Sequence, residues 1–217
     1  VIPAAARKGS VRDTLPQSLY GVHPGVAMMQ NWVATLKEKT GRSLEEWIRL
    51  VERSGPAGEK ERREWLKAKH GLGTNSCWWI AERSLGKGGE DSDPASYLRA
   101  AEEWVEAMFA GGKAGLRPVY DALLRLGLSV GPEVKACPCK TIVPLYRRHV
   151  FAQIKPTTRT RIDMGYALAD LPARGRLVST GGYEKGDRIT HRIPIGSVPE
   201  IDAEVATWLL RAYELDA

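Results

Sequence analysis

The spacing of apolar residues changes once along this chain, at Gly127, and that change limits what the chain can fold into. Before Gly127, apolar residues recur three and four apart, the spacing of one buried helix face. After it they alternate with polar residues, as in strands with one buried side. The expected class is therefore α+β: an N-terminal helical bundle, then a mostly antiparallel sheet with helices packed on one face.

The first half divides into helices at its glycines and caps. Met28, Met29, Trp32, Val33 and Leu36 predict a helix from Pro24 to about Lys39, which Gly41 ends. Ser43 and Glu46 have the spacing of a capping box for a second helix that carries Leu44, Trp47, Ile48 and Val51. A charged third helix is expected from about Glu59 to Lys69. A fourth follows the Gly71-Leu72-Gly73 turn and carries Cys77, Trp78, Ile80 and Leu85. Pro94 to about Phe109 reads as a fifth helix and Leu116 to Leu126 as a sixth.

Past Gly127, strands are expected at Val134–Cys137, Thr141–Arg147, His149–Lys155 and Arg159–Leu168, with shorter ones at Arg176–Ser179 and Arg188–Ile195. A helix from Glu200 to Leu215 closes the chain. The implied domains are an N-terminal arm over 1–23, a helical domain over 24–86, a linker with connecting helix over 87–112, and an α+β domain with a basic sheet face over 113–217.

Charge separates the halves. Residues 1–112 hold 16 Lys and Arg against 15 Asp and Glu, whereas residues 113–217 hold 16 against 11. An anionic partner is thus expected to meet the second half. No apolar run approaches the roughly 20 residues that span a bilayer, so no membrane is expected as a partner. With no export signal in the N-terminal residues, the cytoplasm is the expected compartment. The three cysteines, Cys77, Cys137 and Cys139, are too few and too odd for a disulfide framework.

Two stretches carry a family resemblance. Asn31-Trp32 through Ala81, with Lys39-Thr40-Gly41 and His70-Gly71-Leu72-Gly73, resembles the bacterial domain of unknown function 4287. The string from Val143 to Pro156, together with Asp187-Arg188-Ile189-Thr190-His191-Arg192-Ile193, is similar to domain of unknown function 5655. The resemblance implies a two-part architecture covering nearly the whole chain and carries over no catalytic residue. Domains like the second occur beside DNA-restriction and nuclease-like proteins, which implies nucleic acid as one partner.

The central strands hold the most chemistry. Alternation puts Thr160, Ile162, Met164 and Tyr166 on the core side and Arg159, Arg161, Asp163 and Gly165 on the other. Val150, Ala152 and Ile154 are likewise expected inward, with His149, Phe151, Gln153 and Lys155 outward. Ile189, His191, Ile193 and Ile195 are expected inward, with Arg188, Thr190 and Arg192 outward. If these strands are neighbours, one sheet face gathers Lys155, Arg159, Arg161, Arg188 and Arg192 against few acids beyond Asp163, and Arg147 lies nearby. Like charges facing one another in a sheet destabilise it, and a bound phosphate or carboxylate would relieve that repulsion. The plainer reading is a wet outer face whose arginines pair with nearby acids.

Other motifs weigh less. Thr180-Gly181-Gly182 offers freed backbone amides but no helix follows, so a hairpin turn explains it. The Gly71-Leu72-Gly73 hairpin has the form of a phosphate-binding helix-hairpin-helix, or of a simple turn between packed helices. Cys137-Pro138-Cys139 lacks partners at metal spacing, so no metal is expected, and buried thiols are the ordinary case. No dinucleotide fingerprint or hydrolase triad is present, and no cofactor is expected. Trp78 and Trp79 point about 100° apart on one helix, so one of them is expected outside the core.

Three readings follow. The first is a non-catalytic module that binds an anionic ligand, either nucleic acid or a phosphorylated or carboxylated small molecule, on the basic sheet face. The second is an enzyme with a pocket between its domains, in which His149 or Asp163 acts among arginines. The third is an interaction module that holds a protein partner through the helical domain.

Overall fold

The computed structural model describes residues 18–217. The arm expected over 1–23 falls largely outside these residues. Its last part is tied down: the Gly21 amide donates to the Ala136 carbonyl at 2.9 Å, and the Tyr20 and Tyr120 hydroxyls meet at 3.0 Å.

Four helices form the first unit: α1 (Pro24–Thr40), α2 (Leu44–Ser54), α3 (Glu59–His70) and α4 (Thr74–Arg83). Gly41 ends α1 in the left-handed conformation that suits a residue without a side chain. Ser43 and Glu46 close the capping box at the start of α2 in both directions. The core of this unit gathers Leu36, Trp47, Val51, Leu66, Cys77 and Ile80. Met28, expected among the apolar positions of α1, is exposed, and Val26 is buried instead. Of the tryptophan pair, Trp78 faces solvent, 51% exposed, under the Arg63 guanidinium; Trp79 packs edge-on against Trp32.

Helix α5 (Pro94–Met108) belongs to two cores at once. Its first half sets Tyr97 and Ala101 against Val26, and its second half sets Val105 and Met108 into the core of the C-terminal unit. Asp93 caps it, accepting from the Ser96 amide. A 3-10 turn over Gly111–Leu116 leads into α6 (Arg117–Ser129).

The six-stranded antiparallel sheet comprises β1 (Lys135–Ala136), β2 (Val143–Tyr146), β3 (Val150–Pro156), β4 (Ile162–Tyr166), β5 (Val178–Ser179) and β6 (His191–Ile195), in the order β1-β2-β3-β4-β6-β5. The first four strands form the expected meander. The last hairpin docks through β6, which leaves the two-residue β5 at the edge. Helices α6 and α7 (Ala203–Leu215) cover one face, over a core that includes Tyr120, Leu145, Ile154, Met164, Ile193 and Leu209. The architecture is α+β.

Several strand ends and faces differ from the alternation expected along the chain. The register between β2 and β3 shifts at Leu145/Tyr146, where Leu145 opposes Ala152 and Tyr146 opposes Val150. The extra residue is Phe151, which turns into the core, fully buried and edge-on to Tyr213, rather than outward. Val150 is only half-buried. Strand β4 begins at Ile162, so Arg159 lies in the β3–β4 turn and not on a strand. Strand β6 begins at His191, so Arg188 and Ile189 escape the alternation, and Ile189 packs beside Gly165 and Gln153 on the outer face. Thr190, expected outward, is buried and accepts the Leu168 amide at 3.2 Å. Its hydroxyl also meets His191 Nδ1 at 2.9 Å, so His191 is a satisfied core residue.

Candidate anion-binding cleft

The outer face of the sheet carries Gln153 and Lys155 from β3, Asp163 and Gly165 from β4, and Arg192 from β6. The register pairs Lys155 with Asp163 and Gly165 with both Gln153 and Arg192. Gly165 is needed there, because a Cβ would come within 2.8 Å of Ile189 and 2.9 Å of Gln153.

Asp163 organises the middle of this face. Its Oδ2 accepts from Arg192 Nη1 at 2.8 Å and from the Thr157 hydroxyl at 2.7 Å. Its Oδ1 lies 3.1 Å from Arg161 Nε, an ion-pair contact without the alignment of a hydrogen bond. The carboxylate is 8% exposed and thus acts as an internal counter-charge for two guanidinium groups. Its Oδ2 is held by two donors, and its Oδ1 faces Arg161 without a hydrogen bond.

A second acid, Asp216, was invisible to sequence reasoning because it lies at the end of α7, 67 residues from its partner. Its Oδ2 accepts the backbone amides of Arg148 and His149 at 3.0 and 2.8 Å. Its Oδ1 meets His149 Nδ1 at 3.0 Å and the Arg188 guanidinium. Burial pushes the Asp216 carboxyl up, but these donors outweigh it and hold the pKa below the ordinary value. His149 is therefore half of a clamp that fixes the end of α7 to the β2–β3 turn. Arg147 is held in turn by Glu133 at 2.9 Å and stacks on Tyr213. Of the six cations expected to bind a ligand, Arg147, Arg161, Arg188 and Arg192 are each met by a carboxylate.

Lys155 and Arg159 are different. Both are exposed, and among the described residues neither has an ion-pair partner. They line a cleft of about 520 Å³ between the β3–β4 turn, the end of α5 and the loop after β1. Lys113 and Lys140 line it too, and no carboxylate does. Lys113 Nζ donates to the Pro156 carbonyl at 2.7 Å, which fixes its position and leaves two ammonium hydrogens for a ligand. Lys140 is shared at the rim with Glu90, 3.2 Å away. The Arg159 stem lies across Gly112, where a side chain would have to compete for the same space. Lys113 and Lys140 were missed because Lys113 lies in a short 3-10 helix after two glycines and Lys140 in a loop after a proline, where neither the 3.6 nor the two-residue period places a side chain.

Burial disfavours the thiolate form of both nearby thiols: it pushes the Cys137 thiol up to about 12 and raises that of Cys139. Among the described residues no group of three metal-ligating side chains converges. None of the helices described is long and apolar enough to cross a membrane.

The family profile of the domain of unknown function DUF5655 matches residues 105–216, just over half of the chain. The chain belongs to this family. The domain of unknown function DUF4287 matches residues 28–75, within α1 to α4. No curated protein and no solved structure matches the chain. The DUF5655 match begins at Val105, the point at which α5 leaves the first core and enters the second. The basic cleft, the Asp163 centre and the Asp216 clamp are all built mainly from DUF5655 residues.

Proposed function

We propose that this protein binds an anionic ligand, a nucleic acid or a phosphorylated or carboxylated small molecule, in the cleft of Lys113, Lys140, Lys155 and Arg159. One observation carries this reading: four cations line a single cleft whose lining holds no carboxylate, and of the four only Lys140 has an ion-pair partner among the described residues, Glu90 at the rim. Like charges held this close repel one another, and a bound phosphate or carboxylate relieves the repulsion while it gains charge-assisted hydrogen bonds. Nothing in the cleft is arranged to move a proton, so the reading is one of binding without catalysis. The site differs from the basic sheet face expected from alternation. Arg161 and Arg192 share the single charge of Asp163 and Arg188 meets Asp216, whereas Lys155 and Arg159 at the turn meet no carboxylate among the described residues.

The test is a titration of the full chain with inorganic phosphate, nucleoside triphosphates, and single- and double-stranded oligonucleotides. Lys155→Ala combined with Arg159→Ala should weaken binding by about tenfold or more, since each cation contributes on the order of 1 kcal/mol near a surface. Affinity that falls steeply with salt identifies a polyanion that neutralises several charges, and a shallow slope identifies a small ligand. Unchanged affinity in the double variant removes the reading.

A further inference from the structure

Two residues along β3 from Lys155, on the same face, Gln153 lines a separate pocket of about 530 Å³. Its walls are mainly apolar: Ile142, Pro144, Val150 and Ile189. Tyr146, Gln153 and Arg188 contribute polar groups to it, and it lies within the size range of small-molecule sites.

The direction of one hydrogen bond here follows from the bonds around it. The Gly25 amide donates to His23 Nδ1 at 2.9 Å as the cap of α1, so Nδ1 holds a lone pair. A neutral imidazole then carries its proton on Nε2, which faces the Tyr146 hydroxyl at 2.9 Å. His23 is therefore the donor in this contact, and the Tyr146 oxygen accepts. The phenolic proton is left free to donate elsewhere. Burial lowers the His23 pKa, which favours the neutral ring, and burial raises that of Tyr146, which keeps the phenol protonated.

The other polar groups are similarly supplied with hydrogens. Among the described residues the Gln153 amide makes no hydrogen bond. Arg188 spends Nε on the Val150 carbonyl and one Nη2 hydrogen on Asp216, leaving Nη1 unused. Asp187 is the one acid in the lining and is exposed. Free donor hydrogens on Tyr146, Gln153 and Arg188 thus border an apolar floor.

We propose that this pocket is a second binding site, for a small molecule that carries a carbonyl or carboxylate oxygen on an apolar body, with the Tyr146 hydroxyl as the donor to that oxygen. His23 acts as a positioning residue, because it accepts from Gly25 and donates to Tyr146 and so turns the phenolic proton outward. The site is independent of the basic cleft: it uses none of Lys113, Lys140, Lys155 or Arg159.

Benzamide and benzoate serve as probes, titrated against the full chain by ligand-observed nuclear magnetic resonance. Both should bind, and Tyr146→Phe should weaken benzamide by about five- to tenfold, the value of one neutral hydrogen bond, and benzoate at this pocket by more, since its acceptor is charged. Ile142→Trp should abolish binding by filling the pocket. Lys155→Ala with Arg159→Ala should leave benzamide affinity unchanged. The proposal is overturned if benzamide does not bind, if Tyr146→Phe binds it as tightly as the natural chain, if its binding survives Ile142→Trp, or if it is lost with Lys155 and Arg159. In the last case it occupies the basic cleft instead.

Discussion

Replacing Asp163 asks whether the outer face of the sheet is held together by its own buried counter-charge. The carboxylate is 8% exposed, and its partners Arg161 and Arg192 are 39% and 33% exposed at their side chains. A hydrogen bond to a charged group is worth roughly 1.5–3 kcal/mol, but partners this accessible are screened by water, which reduces each ion pair to about 1 kcal/mol. The Thr157 hydroxyl, donating at 2.7 Å, adds about 1 kcal/mol. Asp163→Ala should therefore cost about 3 kcal/mol, and Asp163→Asn, which keeps one acceptor, about 2 kcal/mol. In urea unfolding followed by circular dichroism, a slope of about 2 kcal/mol per molar places the alanine variant's midpoint roughly 1.5 M lower. A double-mutant cycle with Arg192→Met should return a coupling of about 1 kcal/mol. At about 1 M salt the ion-pair part of the loss should shrink, while the part due to the Thr157 hydrogen bond should persist. A cost below about 0.5 kcal/mol, or no coupling to Arg192, would refute the view of Asp163 as the counter-charge of this face.

Two further outcomes are expected. Asp216→Asn should destabilise by about 1–2 kcal/mol: its amide oxygen keeps the two backbone N–H bonds at the Oδ2 position without the charge, and an NH2 group replaces the Oδ1 that meets the largely exposed His149 and Arg188. Since the folded Asp216 pKa lies below the ordinary 3.8, the clamp's contribution is complete above that pH and is lost as pH falls through the folded value. Acid unfolding of the natural chain and the Asn variant should therefore converge at low pH, and parallel curves would sink the assignment. Phe151→Ala should cost about 3–5 kcal/mol in the same urea assay, as for a buried aromatic side chain. A change within about 0.5 kcal/mol would mean that Phe151 faces solvent, as strict alternation requires.

The helical half was readable because its signals are local. The Ser43–Glu46 box, the left-handed Gly41 and the apolar spacing of α2 act within one or two turns of chain, and their expected boundaries hold to a few residues. The register of the sheet was less readable. A bulge depends on how two strands meet, so nothing in the β3 string alone announces that Phe151 turns inward. Part of the candidate site was legible: Lys155 and Arg159 were singled out, while Lys113 reaches the cleft from a short 3-10 helix and Lys140 from a loop, neither marked by the helix or strand period.

By itself, the sequence determined the α+β class, the order of the elements and the basic excess of the second half. Periodicity and composition are properties of neighbouring residues, and they survive without knowledge of the fold. Only the tertiary structure decided which cations are neutralised. Asp163 draws Arg192 from a strand 29 residues away, and Asp216 reaches Arg188 and His149 from the other end of the domain. Pairing between charges depends on distance in space, which falls off over a few ångströms and bears no relation to distance along the chain.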